Sequence, residues 1–228
     1  MRSGLQAPSR PFPARDAYDL AASEYDHWRW QHFWHQTEAP IVFSWLKEGS
    51  GRQLLDLGFG TGFYLRRLAR AGFRCTGLDI SMSMVRIAAR RLSRTAMLVV
   101  GDARSLPFKS AVYDQILMTR VLSHIQDVSA VFREAKRVLV PGGSLIISDL
   151  DPAHNYVNTE LPVAGHKIPV ETYKRSLSAL VIEAAGFTLS DHAMINGLKA
   201  AAEVRTRELS SVDYDSKRSI AFVARFTA

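Results

Sequence analysis

The sequence predicts an α/β protein with a mostly parallel sheet and helices on both faces of that sheet. From Gly51 onward, short apolar runs that are typical of buried strands alternate with amphipathic runs of helical period. This alternation is typical of repeated β-α-β units. A glycine-rich segment, residues 58–62, lies between the first of these strands and the first of these helices, a position at which open α/β sheets bind ligands.

Each element is predicted from the period of its apolar residues. In chain order the alternation of strand and helix reads QLLDLG, FYLRRLARAG, FRCTGLDI, SMVRIAARRL and AMLVVGD. It continues with the strand YDQILMTRVL, a helix over about 128–139, a turn at Pro141-Gly142-Gly143 and the strand SLIISDL. A helix over about 171–185, the strand FTLSDHAMI and the closing strand SIAFVARFT complete the prediction.

One domain with a small N-terminal cap is predicted. Residues 1–15 contain three prolines and are expected to form a flexible tail. Residues 16–50 carry a dense aromatic set suited to short helices, and we expect them to cap a domain formed by residues 51–228. Two polar stretches, 151–169 and 197–218, interrupt the alternation and are expected to be mobile loops or lids.

Composition restricts the class of protein. The chain has 228 residues, of which 47% are hydrophobic, so it can bury a full core without disulfides or metals. No apolar run approaches the roughly 20 residues that span a bilayer, and the N-terminus lacks a signal-peptide pattern, so we expect a cytoplasmic protein without a membrane partner. The single cysteine, Cys75, lies in a predicted strand, and without a zinc-binding pattern no metal is expected.

The basic charge leaves the type of partner open. A net charge of +7 and a pI near 9.7 suit an anionic partner such as RNA, DNA or a carboxylated metabolite. The arginines of residues 66–94, however, recur at helical spacing. The simpler interpretation of this spacing is that they lie on solvated helix faces.

The glycine segment and the acids around it predict a ligand that contains a nucleoside. Asp56 and the glycines of residues 58–62 fall at every second position, and residues without a Cβ let the backbone turn tightly against a ligand. This spacing differs from the dinucleotide pattern and favours a nucleoside joined to an amino acid over a pyrophosphate. Asp79 ends the next predicted strand, 17 positions after Gly62, near the spacing at which an acid reaches ribose hydroxyls. Asp102 repeats this placement one strand later.

Five motifs in this order resemble those of the class I S-adenosylmethionine (SAM) dependent methyltransferases, particularly the group that methylates small metabolites. The resemblance covers about residues 53–150 and implies a Rossmann-like fold with a seven-stranded sheet, an N-terminal helical cap and SAM as the cofactor. The motifs are DLGFGTG (56–62), LDIS (78–81), GDARSLPF (101–108), YDQILMTRVLSHIQD (113–127) and RVLVPGGSLIISD (137–149).

The resemblance also implies which residues hold the cofactor. Residues 58–62 would wrap the methionine part of SAM, Asp79 would hold the ribose, and Asp102-Ala103 would meet the adenine. In this family a Tyr-Asp pair near the N-terminus often contacts SAM. Tyr18-Asp19 and Tyr25-Asp26 both fit, and we prefer Tyr25. The predicted cofactor-binding residues are Tyr25, Asp56, Gly58, Gly60, Gly62, Asp79, Ile80, Asp102, Ala103 and Thr119.

Other residues indicate where the methyl acceptor binds. Phe59 stands where the family often has a smaller residue, and Arg120 stands where neutral residues are usual, so Arg120 is a candidate for binding the acceptor. His124 is the best candidate for a general base, with a structural or cofactor-lining role as the alternative. His154 and His166 in the expected lid are further candidates, with ordinary surface positions as the alternative. The cap aromatics suited to an acceptor pocket are Tyr18, Tyr25, Trp28, Trp30, Phe33 and Trp34, although core packing is the better interpretation for Trp30 and Phe33.

Three functions remain open at this point. The leading hypothesis is a methyltransferase acting on a small molecule, most simply on an oxygen of an acidic or phenolic metabolite. An RNA- or protein-directed methyltransferase is supported only by the basic pI, and the lack of an Asn/Asp-Pro-Pro-aromatic motif makes nucleic acid an unlikely partner. A non-catalytic SAM-binding protein is the third hypothesis. We expect a monomer or a homodimer.

Overall fold

The computed structural model of the chain describes residues 10–46, 49, 51–92, 94–153, 159–196 and 219–228. A seven-stranded sheet forms its centre. The apolar runs predicted as strands are those that form it, and its inner strands bury their side chains between the helices of the two faces, whereas the edge strands are more exposed. The strands are β1 (Gln53–Leu57), β2 (Arg74–Asp79), β3 (Ala96–Val100), β4 (Tyr113–Thr119), β5 (Leu139–Leu150), β8 (Thr188–Asn196) and β9 (Ser219–Thr227).

The strand order across the sheet is β3-β2-β1-β4-β5-β9-β8. Strands β1 to β5 pair in parallel, and β9 runs antiparallel to both of its neighbours, β5 and β8. The order reverses between β1 and β4, so the carboxyl ends of these strands border a crevice. The prediction of a mostly parallel, seven-stranded Rossmann-like sheet is confirmed.

Helices cover both faces of the sheet. The helices are α1 (Ala14–Ala21), α2 (Arg29–Trp45), α3 (Phe63–Arg70), α4 (Met82–Leu92), α5 (Val128–Val138) and α6 (Leu177–Glu183). On one face α2, α3 and α4 pack over a core that includes Phe33, Leu54 and Leu65. On the other face α5 and α6 pack over a core that includes Leu55 and Phe132, and Leu54 and Leu55 serve opposite cores because side chains alternate along a strand. Among the described residues, no helix combines the length and apolar character needed to cross a membrane.

A separate two-stranded sheet corrects the expectation of an irregular loop over 151–169. Strands β6 (Thr159–Val163) and β7 (His166–Val170) form an antiparallel hairpin. Its two-residue turn, Ala164-Gly165, has positive φ at both positions, as tight hairpin turns require. The hairpin buries Leu161 and Val170 against Ala17 and Ala21 of α1, and this apolar contact explains why the segment is ordered.

The expected tail also proves to be structured beyond residue 9. The backbone of Phe12 donates to Pro169 and accepts from Glu171, each at 2.9 Å, so this segment extends the hairpin. Helix α1 then begins at Ala14, directly after Pro13. The structure therefore differs from the expected tail at Phe12, which pairs with the hairpin, and at residues 14 and 15, which are helical.

Two smaller boundaries differ from the prediction. The helix expected over 171–185 starts only at Leu177, because the residues before it bond to other parts of the chain instead, as Tyr173 N does to Ser123 O at 2.7 Å. The predicted turn at 141–143 is an irregularity within β5. His154 and the stretch 197–218 lie outside the described residues.

Candidate functional site

The glycine loop links the end of β1 to the start of α3. Gly58, Gly60 and Gly62 have φ values of +73°, +56° and +87°, a region that favours glycine. A Cβ on Gly58 would lie 2.3 Å from Cγ2 of Val121, so glycine is required there for close packing as well. Gly58 and Gly60 line a groove. Gly62 does not line it; this residue directly precedes α3 and packs against Ala88 and Leu92 of α4.

This groove follows the carboxyl ends of the central strands and has a cavity volume of about 550 Å³. That is in the range of sites for small molecules and cofactors. The sequence did not indicate that Leu78, Arg104, Val121 and Tyr173 would also border it. The predicted cofactor residues that line it are Tyr25, Gly58, Gly60, Asp79, Ile80, Asp102, Ala103 and Thr119.

Asp79 connects the glycine loop to the start of α4. One carboxylate oxygen accepts from the Gly60 N–H at 2.8 Å, and the other accepts from the Ser81 N–H at 2.9 Å. Burial raises the pKa of this carboxyl to about 6, and the N–H donors oppose that rise. Each oxygen keeps a second lone pair for a ligand hydroxyl.

Asp102 and Asp56 are in very different environments. Arg104 binds both oxygens of Asp102, with its Nη2 at 2.6 Å, and this hydrogen bonding lowers the pKa of the Asp102 carboxyl. Asp56 does not line the groove and is only 1% exposed. Both of its oxygens lack a hydrogen-bond partner within the described part of the chain, and burial together with the charge of Asp79 raises its pKa to about 8.

The two Tyr-Asp pairs of the cap hold it against the glycine loop and α4. Asp19 accepts from the Ser81 hydroxyl at 2.6 Å and from the Ser83 N–H at 2.8 Å, so the cap supplies an acceptor to the first turn of α4. Asp26 accepts from the Thr61 hydroxyl at 2.6 Å and pairs with Arg91. Tyr25 lies over Gly60, where an added Cβ would be 3.7 Å from its ring.

A second, narrower cavity of about 40 Å³ lies beneath the cap. Four side chains, Tyr18, Tyr25, Arg120 and His124, border both this cavity and the groove. Trp30 is largely buried yet still contributes to the cavity wall, whereas Phe33 packs in the core as expected. The other cavity residues are Trp28, Trp34, Ser123, Leu150, Thr159 and Ile220.

Arg120 is held by a buried polar network that sequence reasoning missed. It pairs with Glu38 of α2, whose side chain is fully buried. Glu38 also accepts from the hydroxyls of Tyr64 and Ser148, each at 2.7 Å, and the Arg120 guanidinium lies 5.1 Å from the ring centre of Trp34. The only signal in the sequence is an acid within an apolar, aromatic helix. The excess charge expected from Arg120 is therefore neutralised within the protein.

His124 has both ring nitrogens engaged. Because the Glu171 carbonyl can only accept, Nδ1 donates to it, at 2.9 Å. Nε2 then accepts from the Tyr18 hydroxyl at 3.0 Å. Burial lowers the pKa of His124, which keeps the imidazole neutral near pH 7. His166, the other described candidate base, lies exposed on the hairpin away from both cavities.

No three His, Cys, Asp or Glu side chains converge on a possible metal position within the described ranges. The strand order, the glycine loop and the acids at the ends of successive strands define the class of the fold. It is the Rossmann-like fold of the class I SAM-dependent methyltransferases, a class whose cofactor is SAM.

Comparison with known proteins identifies the domain more closely. Residues 55–147 match a family model described as a methyltransferase domain. A demethylmenaquinone methyltransferase of Tropheryma whipplei (strain Twist) is 38% identical over 112 residues, which are 47% of this chain and 46% of that protein. The aligned region thus spans about half the length of the relative.

Solved structures share the fold over most of the chain. An S-adenosylmethionine dependent methyltransferase from Mesorhizobium loti has a TM-score of 0.69 at 20% identity, covering 84% of this chain and 97% of that one. The methyltransferase in a complex with the Haloferax volcanii Trm112 methyltransferase activator has a TM-score of 0.72 at 22% identity, covering 94% and 96%.

Proposed function

We propose that this protein transfers a methyl group from SAM to an oxygen of a phenolic small molecule. The observation that carries the proposal is the wall shared by the groove and the aromatic cavity, formed by Tyr18, Tyr25, Arg120 and His124. A cofactor in the groove and an acceptor in the cavity would meet at these side chains. Holding two reactants in contact is the main requirement of an in-line methyl transfer.

SAM fits the residues of the groove. The ribose hydroxyls can donate to the unused lone pairs of Asp79, and the glycine loop leaves space where side chains would otherwise project. The unpartnered oxygens of Asp56 lie behind this loop, where a nearby ammonium group of the ligand would favour the ionised carboxylate. When bound, SAM supplies a methyl group on a sulfonium cation, and the aromatic face of Tyr25 over Gly60 is suited to such a cation.

The cavity walls favour a planar, uncharged acceptor. Trp28, Trp30 and Trp34 supply flat apolar surfaces against which an aromatic ring can pack. Because Glu38 already neutralises Arg120, a carboxylate acceptor would enter a site without net positive charge, whereas a phenol would not need one. A cavity of about 40 Å³ holds only a few water molecules, so the cap must move to admit an acceptor.

Tyr18 and His124 provide a route for the phenol's proton. Transfer breaks the carbon–sulfur bond, forms an oxygen–methyl bond and releases that proton. Tyr18 accepts it as the Tyr18 hydroxyl proton passes to Nε2 of His124. The imidazolium formed keeps its Nδ1–H on the Glu171 carbonyl, and the buried charge of Asp149 favours it.

The test is methyl transfer from isotopically labelled SAM to a panel of phenols, carboxylates and amines, with structured RNA as a further acceptor. We expect labelled phenols only. Labelling of amines, carboxylates or RNA without phenols would overturn the proposed acceptor class. Binding of S-adenosylhomocysteine by the folded protein without any methyl uptake would instead support the non-catalytic SAM-binding hypothesis.

A further inference from the structure

The excess positive charge of the chain is concentrated in one segment. Residues 57–101 contain eight arginines, no lysine and a single acid, Asp79, which gives a net charge of +7. The whole chain has 29 basic and 22 acidic residues, so the remaining 21 basic and 21 acidic residues cancel. The segment therefore accounts for the entire net charge of +7.

The fold places this charge on one surface. Helices α3 and α4 contact one another and pack on the same face of the sheet. Met82, Arg86, Arg90 and Arg94 follow one another at intervals of four residues, so they share the outer side of α4 and the turn after it. All four are exposed. We call the exposed arginines Arg66 and Arg70 of α3, with Arg86, Arg90 and Arg94, the arginine face.

The arginines of this face have no acidic partner in the described part of the chain. Arg91, by contrast, pairs with Asp26, and Arg67 lies 4.5 Å from the ring centre of Phe63. The unpaired guanidinium groups have planar donor sets that match phosphate oxygens. A rigid helical surface with several such groups is complementary to a dense array of phosphates.

Exposed apolar side chains lie beside this charge. Leu20 of α1 is 51% exposed, Met82 43% and Val100 41%, and α1 and β3 both contact α4. None of the large apolar side chains that are exposed in the described part of the chain is aromatic. Single-stranded nucleic acids are bound largely by stacking on aromatic rings, whereas membrane interfaces are bound by aliphatic side chains among basic ones.

We propose that the arginine face binds anionic phospholipid headgroups, with Leu20 and Met82 entering the interfacial region of the bilayer. Basic groups near an anionic membrane surface are attracted by its potential, and aliphatic side chains add burial in the interface. This docking is peripheral and involves no membrane-spanning segment. It departs from the simpler expectation of solvated helix faces, and it does not depend on the proposed methyl transfer.

Vesicle sedimentation tests the proposal. The full chain is mixed with vesicles of phosphatidylcholine alone and with vesicles in which one third of the lipid is phosphatidylglycerol. We expect binding only to the anionic vesicles. The variant R86Q/R90Q/R94Q should bind about a hundredfold more weakly, from a loss of about fivefold per arginine. The control K109Q/R133Q/K167Q removes three exposed charges outside the arginine face and should bind like the wild type.

A further variant separates lipid docking from general charge attraction. Met82→Ser keeps every arginine and should weaken binding most clearly at high salt, where screening removes the charge contribution. Circular dichroism of each variant checks that it is folded. Equal binding by the wild type and the arginine variant, or loss of binding in the control variant, would overturn the proposal. Tighter binding of a single-stranded oligonucleotide that displaces the vesicles would assign the face to nucleic acid instead.

Discussion

The hydroxyl of Tyr18 lies 3.0 Å from Nε2 of His124 and joins α1 of the cap to the loop after β4. The two rings also meet edge-on, with centres 5.4 Å apart. Because Nδ1 of the same imidazole bonds to the Glu171 carbonyl, His124 connects the cap, the sheet and the segment that leaves the hairpin. A histidine that sequence reasoning selected as a base is therefore also one of the contacts that hold the cap.

We expect Tyr18→Phe to lower kcat by about 10²–10⁴-fold, because the phenol loses the group that takes its proton. The affinity for S-adenosylhomocysteine should change little. His124→Gln should lower kcat to a similar extent, and the double variant should be no worse than either single variant, because both act on one proton route. Steady-state kinetics on a phenolic acceptor give these values.

The pH profile distinguishes this role from a purely structural one. Burial lowers the pKa of His124 below its usual 6.5, so kcat should fall only at pH values below that point, where the imidazole becomes protonated. His124→Gln should lose this acidic limb and keep a low, flat rate. An unchanged limb in the variant would mean that another group controls it.

Asp79→Ala should weaken binding of S-adenosylhomocysteine by roughly ten- to a hundredfold, because hydrogen bonds to a charged group are worth about 1.5–3 kcal/mol. The variant also frees the N–H groups of Gly60 and Ser81, so the glycine loop loses an anchor. Asp79→Asn keeps one acceptor oxygen, so its affinity for S-adenosylhomocysteine should lie between those of the wild type and Asp79→Ala. Calorimetry measures all three proteins, and wild-type affinity in Asp79→Ala would contradict the predicted ribose contact.

The sequence predicted the sheet well because its strands are apolar and locally regular. It also indicated the residues that border the groove, since the glycine loop and the strand-ending Asp79 are encoded in short motifs. The hairpin over 159–170 was missed, because its prolines favour a loop and its order depends on contact with α1. Such contacts leave no local pattern.

The side-chain network beneath the cap was harder to predict for a related reason. Glu38 and Arg120 are 82 residues apart, and Tyr18 and His124 are 106 apart. Neither pairing follows from spacing along the chain. The unusual arginine could be noticed in the sequence, but its neutralisation by a buried acid from the cap required the structure.

Arg120→Met should destabilise the fold by about 3–5 kcal/mol, because it leaves the Glu38 carboxylate buried without its cation. The double variant E38Q/R120M removes both charges and should recover much of this loss. Urea unfolding of the single and double variants measures the coupling between the two residues. If the pair is replaced without loss of stability, the acceptor KM in the double variant reports whether Arg120 also contacts the acceptor. Additive effects of the single changes would contradict a direct pairing.

Asp56 makes the stability of the ligand-free protein depend on pH. Its folded pKa is raised to about 8, whereas an unfolded aspartate titrates near 3.9, so the folded state holds a proton that the unfolded state has released. Stability from this group is complete below about pH 4 and is lost as the pH rises towards 8. Asp79 contributes in the same sense only up to about pH 6, and His124 acts in the opposite sense below 6.5. Burial also raises the pKa of Asp149, which acts in the same sense as Asp56, so the difference between the wild type and Asp56→Asn over the interval from pH 6.5 to 8 reports Asp56. Asp56→Asn should make Tm fall less steeply with pH across this interval, and its Tm at pH 8 should be higher than that of the wild type. Glu183→Gln, an exposed change of equal charge, should keep the wild-type slope, and parallel curves for Asp56→Asn and the wild type would show that Asp56 titrates normally.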